Sequence, residues 1–239
     1  MCWMETIEQN LANWRTSLME IIPIGGLISR NATAYKWKAP FRCWMLRELT
    51  FWRLTDLLTQ SCVLYRQGHG LGARILLRSG FETLAILLYL NQILEQVLEG
   101  NLDFHMFSRK TSILLLGSRD GSTEHNALNI VTILNKCDKR YPGLVELYGN
   151  LSESAHPNYE GMAAGYSTAN NDEYETRFAN RWMDIHGERH LNVMRLCMET
   201  FHREYDDVWP NLMEKLESWI ATHDAHLEAT KNDPLPNGA

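Results

Sequence analysis

Apolar residues recur at intervals of three and four over most of this sequence, and that spacing constrains the fold more than any other feature. It places apolar side chains along one side of an α-helix, whereas the alternating pattern of strands is scarce. Residues 71–98 form the most apolar of these stretches and leave little polar face. The sequence therefore predicts an all-α fold, a bundle of about six to eight helices with the 71–98 helix at its centre.

Proline and glycine residues divide this pattern into separate helices. The predicted helices span residues 5–22, 40–68, 71–98, 102–116, 123–139, 142–155, 172–208 and 212–227, and the connection at 27–39 is predicted to be irregular. A single helical domain is expected over residues 1–231. A disordered tail is expected at 232–239, where the sequence has no apolar pattern.

The stretch 156–171 differs from the rest of the chain because it is polar and rich in small residues. It contains Pro157, Gly161 and Gly165 and ends in Asn170 and Asn171. We predict a long loop here. Loops of this length inside a compact domain are often functional, so the segment is a candidate part of a binding site.

The charge balance disfavours a general nucleic-acid binder. The chain has 23 Lys and Arg against 29 Asp and Glu, a net charge of −6, so any contact with phosphate needs a local basic patch. The longest apolar run, residues 84–90, is far shorter than the roughly 20 residues that cross a bilayer. The five cysteines include no Cys-x-x-Cys pair, and the N-terminus lacks the pattern of a secretory signal. We therefore predict a cytoplasmic protein with no membrane span.

Three charged residues lie four positions apart in the most apolar predicted helix. Arg74, Arg78 and Glu82 therefore share one face of a helix whose surface is otherwise mostly apolar. Charges in such a place must pair with each other or line a polar cleft. Two interpretations stay open: a structural ion pair, and a pocket that binds a ligand or lies at a dimer interface.

A second candidate lies where the predicted 142–155 helix ends. Pro157 disfavours helical geometry at His156, so the helix is expected to stop there and leave the imidazole at its C-terminus. The helix dipole favours a protonated imidazole at that position. His156 is therefore a candidate acid or base, or a cap for the last helix carbonyls.

These two elements together resemble the HEPN-like helical domains of bacterial toxin, abortive-infection and uncharacterised proteins. An Arg-x-x-x-Glu helix is followed by a helix that ends in Ser-x-x-Ala-His-Pro, and the resemblance covers about residues 40–206. It implies a homodimer that binds RNA or a nucleotide in a cleft and needs no cofactor. The cleft residues that it implies are Arg74, Arg78, Glu82, Glu153, His156, Asn158 and Tyr159.

Active members of that family cleave RNA without a metal, using an Arg and a His that lie four to six residues apart. His156 stands where the family histidine stands, although Leu151 and not Arg lies five residues before it. Three other pairs have the spacing, namely Arg119 with His125, Arg181 with His186 and Arg195 with His202. Arg119 is followed by Asp120, as is common in the family, and His125 is predicted in the first turn of a helix. The resemblance thus implies an endoribonuclease in which His156, or His125 with Arg119, catalyses attack by the 2′-hydroxyl.

Two other functions stay open beside a HEPN-like protein of a bacterial or phage defence, toxin or regulatory system. Glu153-x-x-His156 and Glu199-x-x-His202 have the spacing of a ferritin-like di-iron site, to which Glu48 and Glu82 would add carboxylates, although the helix order is unusual for that class. The other alternative is a non-catalytic interaction module whose long loop contacts a partner protein. A further pair, His186 and His190, is interpreted as a solvated helix face.

Overall fold

The computed structural model describes residues 3–235, and helices dominate it. The ten α-helices are α1 (Trp3–Ser17), α2 (Ile24–Arg30), α3 (Ala32–Tyr35), α4 (Lys38–Arg66), α5 (Gly70–Leu98), α6 (Phe104–Leu116), α7 (Ile130–Asp138), α8 (Leu144–Ala155), α9 (Trp182–His202) and α10 (Trp209–Thr230). Two π-helical turns span Tyr159–Ala164 and Arg203–Val208. A two-stranded antiparallel sheet pairs β1 (Ser167–Asn170) with β2 (Glu175–Phe178). The predicted all-α fold is confirmed, and eight of these α-helices have nine or more residues.

The two longest helices begin and end close to the predicted breaks. Helices α4 and α5 have 29 residues each, and Gly68 between them has a φ of +79°, a conformation that glycine adopts without strain. From Leu77 to Leu94 most side chains of α5 are buried, as the apolar sequence predicts. The long runs of three- and four-residue spacing therefore determine where these helices lie in the chain.

The described chain divides into two compact units. Unit 1 consists of residues 3–18, 52–84 and 137–200, and unit 2 consists of residues 19–51, 85–136 and 201–235. Fully buried side chains in unit 1 include Leu54, Leu58, Leu77, Phe81, Leu84 and Trp182. Those in unit 2 include Leu87, Leu88, Phe104, Phe107, Phe201 and Trp209. The organisation of residues 1–231 as one domain stays a prediction.

Several predicted boundaries are wrong. The first helix ends at Ser17 and not at residue 22, and the connection expected to be irregular holds α2 and α3. Helix α7 begins at Ile130, seven residues later than predicted, because the Asn129 side chain accepts the backbone N–H of Val131 and begins the helix there. Of the predicted tail, residues 232–235 contain no helix or strand, and residues 236–239 lie outside the described residues.

The largest error concerns residues 156–181. The segment predicted as a loop holds the first π-helical turn and β1, and residues 172–181, predicted as helix, hold β2. The Asn170 side chain accepts the backbone N–H of Asp172 at 3.1 Å, and Tyr174 has a φ of +51°, so the chain reverses there. Consecutive Asn170 and Asn171 were the sequence signal for this hairpin turn.

Gly165 makes close packing possible at the start of α9. A Cβ atom at this position would lie 2.6 Å from the ring of Trp182, which is fully buried. We expect Gly165→Ala to lower the free energy of unfolding by about 1–3 kcal/mol, because the ring must move within a packed core. Gly149→Ala in α8 is the matched control, since nothing lies within 4 Å of its Cβ position, and it should raise stability by about 0.5–1 kcal/mol. Urea unfolding measures both, and equal effects would contradict the packing argument.

Candidate functional site

The predicted charges of α5 all bind within unit 1, and their main partner is α8. The Arg74 guanidinium donates from Nε to Ser154 Oγ at 2.8 Å and from Nη2 to the Asn150 carbonyl at 2.9 Å. Arg78 donates from Nε to Ser152 Oγ at 2.9 Å. Arg74 and Arg78 lie one helical turn apart on α5, and each therefore reaches residues of α8.

Arg78 and Glu82 form a closed network with Tyr148. The Arg78 guanidinium lies 3.2 Å from the Glu82 carboxylate, and the Tyr148 hydroxyl donates to Glu82 Oε1 at 2.8 Å. Burial, and then the Glu82 carboxylate, raises the pKa of Tyr148. The charges of this pair are therefore balanced within the protein, which agrees with the structural interpretation of the Arg-x-x-x-Glu motif.

Arg74 faces a different environment, a small cavity that we call the Arg74 pocket. Its polar lining is Arg74, Asn150, Glu160, His186 and Arg189, and its volume is about 120 Å³. Apolar side chains of α8 and α9 complete the walls. The pocket brings together the buried guanidinium of α5, the first π-helical turn and α9.

Glu160 lies closest to the cationic groups of the Arg74 pocket. Its Oε1 accepts from Ser154 Oγ at 2.9 Å and lies 3.7 Å from Arg74 Nη2 and 3.6 Å from His186 Nε2. Burial lowers the pKa of Arg74, Glu160 opposes this effect and the charge of Arg189 adds to it. Arg189 is exposed and adds a second guanidinium to the same lining. Positive charge is in excess in this pocket.

His186 has an unused nitrogen in the Arg74 pocket. Its side chain is 17% exposed and its ring stacks on Trp182 with centroids 5.5 Å apart. Among the described residues Nε2 is buried and has no hydrogen-bond partner. Burial, and then the Arg74 charge, lowers the pKa of His186. The imidazole is therefore neutral at neutral pH, and its Nε2 can form a hydrogen bond with a ligand.

His190 lies one helical turn further along α9 and is 2% exposed. Its Nε2 lies 3.2 Å from Ser61 Oγ, whose hydroxyl donates to the Ala73 carbonyl, so the imidazole is assigned as the donor to Ser61. Its ring stacks on Tyr65 with centroids 5.3 Å apart. Burial, followed by Arg74 and His186, lowers the pKa of His190 to about 4.

The interpretation of His186 and His190 as a solvated face is therefore wrong. Both histidines lie on the stripe that starts at buried Trp182 and continues at intervals of four to buried Met194. This spacing was present in the sequence and could have identified them as inward-facing residues.

The predicted turn after α8 is confirmed, but His156 lies at the surface. Its backbone is extended, with φ −94° and ψ 145°, so the helix stops where Pro157 requires. Its side chain is exposed. Asn158 caps the first π-helical turn by accepting the Gly161 N–H at 2.9 Å and contacts Glu153, while Tyr159 is exposed. These residues hold the segment that carries Glu160.

Apart from His186, the residues of the other predicted Arg–His pairs lie outside the Arg74 pocket. Arg119 and His125 belong to unit 2, in a loop closed by a bridge between Ser118 and Asn126, so the expected helical position of His125 is wrong. Arg119 is exposed and His125 is partly buried. Arg181 donates to the backbone carbonyls of Ala164 and Ser167, while Arg195 pairs with Glu199 and His202 with Asp206.

The predicted di-iron ligands each contact other residues. Glu82 accepts from Tyr148, Glu153 contacts Asn158, and Glu48 accepts from Tyr205. Over residues 3–235 no group of three or more His, Cys, Asp or Glu is placed to hold a metal ion. The di-iron alternative stays a prediction that these contacts do not support.

Comparison of the chain with protein-family models finds no match, and comparisons with curated proteins and with solved structures find none either. No helix within residues 3–235 has the length and apolar character needed to cross a membrane.

Proposed function

We propose that this protein is a HEPN-like helical protein that binds RNA or a nucleotide by a phosphate group in the Arg74 pocket. The observation that carries the proposal is the convergence on one cavity of Arg74, Arg189 and His186, whose Nε2 has no hydrogen-bond partner within residues 3–235. Guanidinium groups bind phosphate strongly because their N–H groups match its oxygens in geometry and charge.

A local basic site resolves the conflict between nucleic-acid binding and the net charge of −6. The acidic surface as a whole repels phosphate, whereas a buried guanidinium acts at short range and is little screened by salt. We therefore expect binding of a short segment or a single nucleotide, and not the wide contact with the backbone that basic proteins make. A homodimer, a cytoplasmic location and a role in bacterial or phage defence, as a toxin or in regulation belong to the same proposal.

A non-catalytic protein-interaction module is the second candidate, and the hairpin supports it. Tyr174 and Phe178 are 97% and 81% exposed, and Tyr159 in the preceding turn is 80% exposed. Large exposed aromatic side chains are enriched where proteins bind other proteins. Cleavage by His156, or by His125 with Arg119, stays a prediction beside both candidates.

The proposal is tested by binding of a labelled short RNA and of a labelled mononucleotide, measured by fluorescence anisotropy. Arg189→Met should weaken binding about tenfold, because it removes a charge-assisted hydrogen bond from an exposed side chain that the fold does not need. His186→Gln should also weaken it. Arg177→Met is the matched control, since Arg177 pairs with Glu173 at the surface of the hairpin and should not affect binding.

Two results would overturn the proposal: no binding by the wild-type protein, or equal binding by the wild type and both pocket variants. The same RNA is also incubated in EDTA with the wild type, His156→Gln, His125→Gln and His186→Gln. Cleavage that only one variant loses would identify its catalytic histidine and separate the predicted positions from the pocket.

A further inference from the structure

We infer that the Arg74 pocket binds a phosphomonoester, which is either the phosphorylated end of an RNA chain or the terminal phosphate of a nucleotide. This inference rests on the proposed function. An internal phosphodiester is the alternative that the pocket disfavours. Three features carry the inference, namely the size of the cavity, its excess of positive charge and the position of the unpaired imidazole nitrogen.

The cavity is large enough for one phosphoryl group. Its volume of about 120 Å³ is several times the roughly 10–15 Å³ that a cavity needs to hold one water molecule. Arg74 is the buried cation of its lining: its side chain is 6% exposed and is held by Ser154 and the Asn150 carbonyl. A phosphodiester carries a ribose on both sides of the phosphorus and is therefore bulkier at this position than a monoester, which carries one.

The charges favour an anion with more than one negative charge. Two guanidinium groups, of Arg74 and Arg189, face the single carboxylate of Glu160 in this lining. A phosphomonoester carries about −1.5 to −2 at neutral pH, whereas each phosphodiester carries about −1. The extra charge of the monoester therefore interacts with the buried guanidinium of Arg74, where attraction is stronger than at the surface.

His186 adds a hydrogen bond for the additional unesterified oxygen of a phosphomonoester. Its Nε2 lies 3.6 Å from Glu160 Oε1 and is buried without a hydrogen-bond partner among the described residues. In the tautomer with hydrogen on Nε2, the imidazole donates to a phosphate oxygen. Glu160 is the group that an entering phosphate must meet, because it lies between Arg74 and His186. Removing its charge should strengthen binding.

The test compares one RNA sequence in three forms: with a 5′-phosphate, with a 3′-phosphate and with hydroxyl groups at both ends. We expect one phosphorylated form to bind about tenfold more tightly than the unphosphorylated form. Arg189→Met should remove that preference and Glu160→Gln should increase it, while Arg177→Met leaves it unchanged. Competition by a nucleoside monophosphate distinguishes a free nucleotide from an RNA end as the ligand.

The failures of the two proposals are distinguishable. Equal binding of all three RNAs, weakened equally by Arg189→Met, would overturn the monoester inference and keep phosphate binding at the pocket. A phosphate preference that survives both Arg189→Met and His186→Gln would place the monoester elsewhere and overturn the inference. Absence of binding to any RNA or nucleotide would overturn both proposals. Unfolding curves of each variant establish that the fold is retained.

Discussion

Replacing Arg47 with methionine is expected to lower the free energy of unfolding by about 3–5 kcal/mol, the largest effect of any single substitution considered for this protein. Arg47 and the adjacent Glu48 are both buried in unit 2, and their side chains form an ion pair. Removing the guanidinium leaves the Glu48 carboxylate buried with no opposite charge beside it. The cost of that unpaired charge, and not the strength of the ion pair, determines the effect.

Aromatic rings contribute to the same network. The Arg47 guanidinium lies 3.4 Å from the ring centroid of Tyr205 and 4.7 Å from that of Trp209. The Tyr205 hydroxyl donates to Glu48 at 2.9 Å, and burial raises the pKa of Tyr205. Methionine fills part of the space but provides neither the charge nor the cation–π contact.

A double variant separates charge from packing. Arg47→Met with Glu48→Gln removes both charges and keeps an acceptor for Tyr205, so it should cost less than Arg47→Met alone. Arg66→Met is the surface control, because the pair of Arg66 with Glu8 is largely exposed and should contribute at most about 1 kcal/mol. Urea unfolding at neutral pH measures all three. A double variant that is less stable than the single one would contradict the unpaired-charge explanation.

Acid is expected to destabilise the protein through His190, by about 3 kcal/mol between pH 6.5 and pH 4. Well above pH 6.5 the imidazole is neutral in both the folded and the unfolded chain. Between pH 6.5 and pH 4 the unfolded chain binds a proton at His190 and the folded chain does not. The reason is that burial, Arg74 and His186 lower the pKa of His190 in the folded chain to about 4. The free energy of unfolding therefore falls as pH falls through this range, and below pH 4 no further loss arises from His190.

His190→Gln tests this linkage because glutamine does not titrate and can still donate to Ser61. Unfolding free energies at pH 7 and pH 4.5 should differ by about 2 kcal/mol less in the variant than in the wild type. The control is His226→Gln, whose parent side chain is exposed on α10 and should leave the difference unchanged. A wild-type acid sensitivity that His190→Gln retains in full would show that other groups cause it.

The long helices were predictable because their signals are local. The spacing of three and four lies within each helix, and Gly68 and Pro157 lie two residues from the helix ends that they determine. Helices α4, α5 and α8 begin and end within two residues of expectation. The hairpin was not predicted because each of its strands has only four residues, too few to show an alternating pattern, and because its residues are mostly polar. Helices α2 and α3 were not predicted because they have seven and four residues, too few for the spacing of three and four to repeat.

The candidate site was only half predictable. Arg74 was identified because a charge on an apolar helix needs a partner, and the structure provides that partner in Ser154 and the Asn150 carbonyl. Glu160, His186 and Arg189 belong to other elements, so the sequence near Arg74 does not predict that they lie beside it. The end of α8 at His156 was predicted correctly, but His156 is not part of the pocket. A proline at the next position determines backbone geometry and does not determine whether a side chain faces inward.

The division of the chain into six alternating segments has a consequence for synthesis on the ribosome. Unit 1 needs residues from both its first segment and its last, which ends at residue 200, and unit 2 is complete only with the segment that begins at residue 201. A nascent chain therefore cannot close the core of either unit while its later segments are still inside the ribosome. Neither unit can complete its folding until most of the chain has been synthesised. Truncated chains should therefore expose apolar helices and depend on chaperones.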